Sequence, residues 1–201
     1  MNQKFYDMKN EKQDRILNAG FKSFALYGYK NASTDEIIKD AGISKGLLFH
    51  YFESKVGFYE FSYDYAVRFL ELAFDHFADP SAHSFNDIAR QNLQAYFTVA
   101  RSYPFALLLL EQARFENYTE AMLATEKSRQ LYENLIEKRK ALIDPHSVVE
   151  GTDLNMLLNI IDYVIFGELR RSLSEGSFLP DIWLAQITRE IELLCKTYGI
   201  E

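Results

Sequence analysis

The chain has 201 residues, 48% of them hydrophobic and 25% charged, with a formal net charge of −7. That balance excludes a disordered or fibrous chain and leaves enough apolar material for a body able to enclose a pocket. One cysteine, Cys195, admits no internal disulfide, and no run approaches the ~18 apolar residues of a membrane span, so a protein of the reducing cytoplasm without a membrane partner is expected.

Helical spacing accounts for nearly the whole chain, and no alternating apolar–polar run bounded by turn signals argues for a strand. A first helix is expected from about Asn10 to Tyr27, with Ile16, Leu17, Phe21, Phe24 and Ala25 on one face and Gly28 placed for a left-handed C-terminal cap. Ser33 and Glu36 have capping-box spacing, which starts a short second helix at Thr34; its apolar face is Ile37, Ile38 and Ala41, and Gly42 ends it. Ser44 can cap a third helix from Lys45 to about Tyr51, and Ser54 a fourth from Lys55 to about Phe77. Val56-Gly57 reads as a weak start for that fourth helix, since glycine costs about 1 kcal/mol there relative to alanine.

Further helices are expected from the Ser84/Asp87 box to Ser102, from Pro104 through Leu107 to Leu110, from Thr119 to Ile143, from Thr152 to Ser174, and from Leu179 to Tyr198. That makes about nine helices and an all-α fold. The segment from Thr152 is apolar almost all round, through Leu157, Ile161, Tyr163, Ile165 and Phe166, and so needs cover on every side. With the last helix, which carries Trp183, Ile187, Ile191 and Leu194, it is expected to form a two-fold homodimer interface.

Two short helices joined by a glycine turn, Thr34 to Ala41 and Lys45 to Tyr51, have the size and order of a helix-turn-helix. Ile37, Ala41, Ile43, Leu48 and Phe52 have the spacing to lock the pair together over Phe21 and Phe24. That leaves Lys45, Gly46, Leu47, Phe49 and His50 for the exposed side of a helix about 10 Å long, a piece that fits a major groove. Lys45 can reach a guanine edge or a phosphate, Gly46 admits close backbone approach, and Leu47 can pack on a thymine methyl; these three are the base-reading candidates. Phosphate contacts should flank them, at Thr34 and Lys55 on helix N-termini, then at Tyr51, His50 and Lys30. Charge distribution agrees: residues 1–57 hold nine Lys/Arg against seven Asp/Glu, which leaves 13 against 22 for the rest, so the acidity lies in the body.

The string STDEIIKDAGISKGLLFHYFESK, Ser33 to Lys55, with the preceding FALYGYKNAST, closely resembles the N-terminal domain of the TetR family of bacterial transcriptional regulators. The resemblance implies a three-helix DNA-binding domain over residues 1–54 and a helical effector-binding and dimerisation domain over 55–201. It implies a double-stranded palindromic operator bound by a homodimer and, most commonly, repression released by a small molecule. Phe49 stands where relatives often carry tyrosine, and Leu47 where many carry a small hydroxyl residue, so no operator transfers by analogy.

For the effector, surplus aromatic material at Phe61, Tyr65, Phe69, Tyr96, Phe97, Phe115, Tyr163 and Phe166 suits a small, largely apolar ligand. An enzyme finds little support: the four histidines form no HExxH or ExxH pair, no phosphate-cradling glycine loop or GxSxG elbow exists, and no metal or cofactor is expected. His76, Asp79 and His83 are interrupted by Pro80. The competing reading is a TetR-like adaptor or small-molecule binder without DNA contact; the sign of it would be a reading helix stripped of lysine and glycine, and Lys45, Gly46 and Lys55 are all present.

Overall fold

The computed structural model describes residues 3–197, and among them every regular element is helical. In chain order these are α1 (Gln3–Tyr6), α2 (Asn10–Asn31), α3 (Thr34–Ala41), α4 (Lys45–Phe52), α5 (Lys55–Phe77), α6 (Phe85–Ser102), α7 (Ala106–Ala113), α8 (Thr119–Lys140), α9 (Leu154–Ser174) and α10 (Pro180–Thr197). A 3₁₀ turn, Pro145–Ser147, lies between α8 and α9. The nine expected helices are all present, and none of them is long and apolar enough to cross a membrane.

The capping chemistry is the one the residue types dictate. Ser33 Oγ accepts the Glu36 N–H at 3.3 Å, Ser44 Oγ that of Leu47 at 3.3 Å, Ser54 Oγ that of Gly57 at 3.0 Å, and Ser84 Oγ that of Asp87 at 3.1 Å. Gly42 closes α3 at φ 64° and ψ 42°, the left-handed cap that a residue with a Cβ adopts reluctantly.

Several boundaries differ from the sequence expectation. Gly28 has positive φ (68°) but an extended ψ (174°), so it kinks α2 rather than capping it, and one more helical turn follows to Asn31. Pro104 lies in a turn ahead of α7 instead of in its first turn, and α8 ends at Lys140 because the chain tightens through residues 141–143 before Asp144 caps the 3₁₀ turn. The helix expected from Thr152 begins at Leu154, capped by Asp153, whose carboxylate accepts the Met156 N–H at 3.0 Å. The expected end of the last helix at Tyr198 lies outside the described residues. The short α1 was not anticipated: Phe5 is fully buried there, edge-on to the rings of Tyr6 and Phe61 and tilted against Phe52.

By packing, the chain forms two compact units. The first joins Met1–Phe69 to Ser102–Tyr132, and the second joins Leu70–Arg101 to Glu133–Glu201. In the first unit, α2 packs on α3 and along α7, whose Ala106 to Leu110 are all fully buried. Truncating one of these leucines would leave a cavity costing about 2–5 kcal/mol. The second unit contains α6, α9 and α10, with α9 packed on α10. Met156 and Tyr163 on α9 and Ile182 and Leu193 on α10 are more than half exposed, so in a single chain these two helices carry uncovered apolar surface.

Candidate nucleic-acid interface

The first unit presents α3 and α4 as a helix-turn-helix. Ile37, Ala41, Leu48 and Phe52 are buried, Ile43 is half-buried, and Phe21 and Phe24 are fully buried on α2 behind them. On α4, Lys45, Gly46 and His50 are exposed, while Leu47, Phe49 and Tyr51 are half-buried. A Cβ added at Gly46 would meet nothing within 4 Å, so this position is open to an approaching surface rather than reserved for internal packing. Lys45 Nζ pairs with Asp35 Oδ1 at 3.0 Å on the outside of the α3–α4 pair; both side chains are mostly solvated, and such a pair is worth little.

Thr34 is the first residue of α3 and Lys55 the first of α5, so both flank α4 as expected. Lys55 is half-buried, and its ammonium donates to the Lys30 carbonyl at 3.1 Å and lies 4.9 Å from the centre of the Tyr29 ring. Burial holds its pKa below the usual lysine range. Its charge is therefore partly committed to the end of α2, which the sequence did not suggest. Tyr51 packs edge-on to Phe5 at 6.2 Å and to the exposed His50 ring at 5.2 Å. Lys30 is exposed on the kinked last turn of α2.

The corner between α4 and α5 explains the residue that looked unfavourable in the sequence. Glu53 adopts φ 63° and ψ −44°, and the Ser54 N–H donates back to the Phe52 carbonyl at 2.6 Å, a γ-turn of the rare positive-φ kind. This tight reversal brings the first turn of α5 onto that same carbonyl. A Cβ built on Gly57 would fall against the Phe52 oxygen, far inside van der Waals contact. Gly57 is thus a spatial requirement of the corner and not a softened linker.

Sequence reasoning also missed the residues that anchor the two ends of α2. The Tyr29 N–H donates to Glu116 Oε2 at 2.9 Å and the Tyr29 hydroxyl to Glu120 Oε2 at 2.6 Å. The Tyr103 hydroxyl donates to Asp14 Oδ1 at 2.6 Å and lies 3.3 Å from the Tyr65 hydroxyl. Burial first, then these carboxylate bonds, push both Tyr29 and Tyr103 well above the usual phenol range. Contacts spanning about ninety residues leave no local signal in a sequence.

The proposed effector residues divide between the two units. Phe61, Tyr65 and Phe69 form one half-buried aromatic row in the first unit, together with Tyr103. Tyr96 and Phe166 are buried and 5.9 Å apart in the second, where Phe97 is half-buried. Phe115 and Tyr163 are 72% and 76% exposed and so line no interior wall of this chain. Elsewhere, Asp79 accepts the Ser81 N–H and hydroxyl, bonds that hold its carboxyl below the usual range, and His83 Nδ1 lies 3.3 Å from the Leu142 carbonyl.

Residues 16–60, from within α2 to the second turn of α5, match the profile of bacterial regulatory proteins of the tetR family. This stretch is similar to the DNA-binding head of that family. Solved TetR-family proteins share the fold along nearly the whole chain. A putative tetR-family transcription regulator from Shewanella sp. PV-4 aligns with a TM-score of 0.58 at 17% identity, covering 92% of this chain and 96% of its own. A TetR-family regulator from Chloroflexus aurantiacus J-10-FL aligns at 0.56 and 18%, covering 98% and 95%. FadR from Bacillus subtilis, solved in complex with stearoyl-CoA, aligns at 0.58 and 16%, covering 90% and 96%. No curated protein matches the chain. At these identities the solved structures show the TetR-like fold alone, and the family profile adds a similarity over residues 16–60.

Proposed function

We propose that this protein is a cytoplasmic transcription regulator that binds a palindromic operator as a homodimer and is released from it by a small, largely apolar effector. The observation that carries the reading is α4: an exposed Lys45 beside an open Gly46, on a helix locked at its caps and its core inside a TetR-family head. Residues 1–54 act as the reader in this proposal and 55–201 as the sensing and dimerising body. Lys45, Gly46 and Leu47 read base edges, and Thr34, His50, Tyr51 and Lys55 hold phosphates. No catalytic role is assigned to any residue.

The uncovered apolar residues of α9 and α10 support pairing through these two helices, since a second copy would remove them from water. Two heads held on one two-fold axis would meet successive major grooves about 34 Å apart. The stearoyl-CoA bound by Bacillus subtilis FadR, together with the aromatic rows at Phe61, Tyr65 and Phe69 and at Tyr96 and Phe166, supports an apolar effector body.

The direct test is selection of duplexes from a randomised library by the purified full chain at moderate salt. Enrichment of a palindrome with half-sites about one helical turn apart supports the proposal; a folded, dimeric protein that enriches nothing favours the adaptor reading. Two substitutions refine it. Lys55→Ala should weaken binding to selected and random DNA alike and flatten the salt slope by about one unit. Unchanged affinity at every salt concentration, with a lowered melting temperature, would reduce Lys55 to its bond with the Lys30 carbonyl. Asp35→Asn removes a negative charge beside Lys45 and should tighten binding to any duplex roughly 3–10-fold at low salt, an effect that 0.5 M salt erases.

A further inference from the structure

Most buried polar atoms of the first unit are accounted for, but the guanidinium of Arg129 on α8 is not. Its Nε donates to Thr125 Oγ1 at 2.8 Å, and the Thr125 hydroxyl is itself fully buried and donates to the Ala121 carbonyl at 2.9 Å. That second bond turns a lone pair of Thr125 toward the arginine, so the interaction is preset rather than incidental. The face of the guanidinium lies 5.8 Å from the centre of the Tyr63 ring on α5. It also hydrogen-bonds the Tyr59 hydroxyl, which partly opposes the burial and the nearby Glu116 charge that push that phenol upward. Both tyrosines are at least 98% buried. Nη2 is buried and has no hydrogen-bond partner, and among the described residues no carboxylate pairs with the charge.

An orphaned donor of this kind is expensive. A buried donor left unpaired loses its bonds to water with nothing in exchange, and a charged donor loses more than a neutral one. A guanidinium held at Nε by Thr125, beside the Tyr59 hydroxyl and with a buried Nη2 left to donate, is suited to an oxyanion, since charge-assisted N–H bonds to a carboxylate are stronger than bonds between neutral groups.

We propose that Arg129, oriented by Thr125 and flanked by Tyr59 and Tyr63, anchors the carboxylate of a small organic acid. The anchor lies in the same compact unit as the reading head. Through Tyr59 it adjoins the base of α2: the Tyr59 ring packs 5.3 Å from that of Tyr29, whose hydroxyl and N–H are held by Glu120 and Glu116. Glu120 and Arg129 share α8, so an oxyanion that repositions Arg129 acts on a helix and a ring that both hold Tyr29. This part rests on the regulator reading above. It makes the polar end of the effector an acid and places its grip at the base of the head.

The test is isothermal titration of the full-length protein with acetate, benzoate, decanoate and inorganic phosphate, and with decanol as the uncharged control. At least one carboxylate should bind saturably, decanoate at least about tenfold tighter than decanol, as one charge-assisted hydrogen bond commands. Arg129→Gln should abolish that preference, Thr125→Val should weaken it, and Arg129→Lys should retain part of it; where Arg129→Gln fails to fold, the lysine and valine variants decide. No carboxylate binding to the wild type, or an unchanged preference for decanoate in the variants, overturns the proposal. Duplex selection on the same preparation separates the two readings. A selected palindrome without acid binding removes the anchor alone, whereas acid binding as described without any selected sequence removes the regulator reading and keeps the anchor.

Discussion

Gly57→Ala is expected to lower the stability of the protein by about 2–3 kcal/mol, although alanine is the better helix former by about 1 kcal/mol. The sign follows from what the new Cβ meets. Its neighbour is the Phe52 carbonyl oxygen, a backbone atom that no rotamer change can move aside. Relief requires opening the γ-turn at Glu53, and with it the angle at which α4 leaves α5. Both thermal unfolding and affinity for selected DNA should therefore fall, because the same corner that carries the strain positions the reading helix. For a chain of this length the loss corresponds to a melting shift of several degrees. A variant as stable as the wild type, or more so, would show that the corner is looser than the one described.

Gly46→Leu should do the reverse, leaving the fold intact while removing sequence-specific binding by a factor of about 100 or more. The position is exposed in the first turn of α4 with nothing within 4 Å of an added Cβ, so stability should hold or rise slightly through helix propensity. In a major groove the added side chain would hold the backbone off the base edges that Lys45 and Leu47 are proposed to read, and a pair of good base contacts is worth about 1–3 kcal/mol each. Binding to random duplex, which rests on phosphates, should change much less. Equal losses on selected and random DNA would sink the role assigned to Gly46 and point to a general disturbance of the head.

The two glycines sit eleven residues apart on neighbouring helices, and they illustrate how much local sequence can say. Gly42, Ser33, Ser44 and Ser54 did in the structure what their chemistry demands locally, because a cap involves only residues three or four apart. The buried face of the head, from Phe21 and Phe24 to Ile37, Leu48 and Phe52, followed from helical periodicity for the same reason. Gly57 was misread because its reason is a close approach between two elements, and propensity scales know only the element itself.

The helical body shows the same division. Its helices were legible from spacing and from the Asp79-Pro80 and Asp144-Pro145 breaks, but not which aromatic residues would face inward. Phe115 and Tyr163 carry the same hydrophobic character as Tyr96 and Phe166, and only the packing of α9 and of the segment after α7 turned the first pair to solvent and the second to the interior. The sequence by itself thus determined the elements, their caps, the core face of the head and its resemblance to the TetR family, all of which depend on residues close along the chain. Only the tertiary structure decided what holds Tyr29 through Glu116 and Glu120, why residue 57 has no side chain, and where Arg129 Nη2 is left without a partner. Each of these is an encounter between side chains or backbone brought together by packing, and the energy of such an encounter is written in no single stretch of residues.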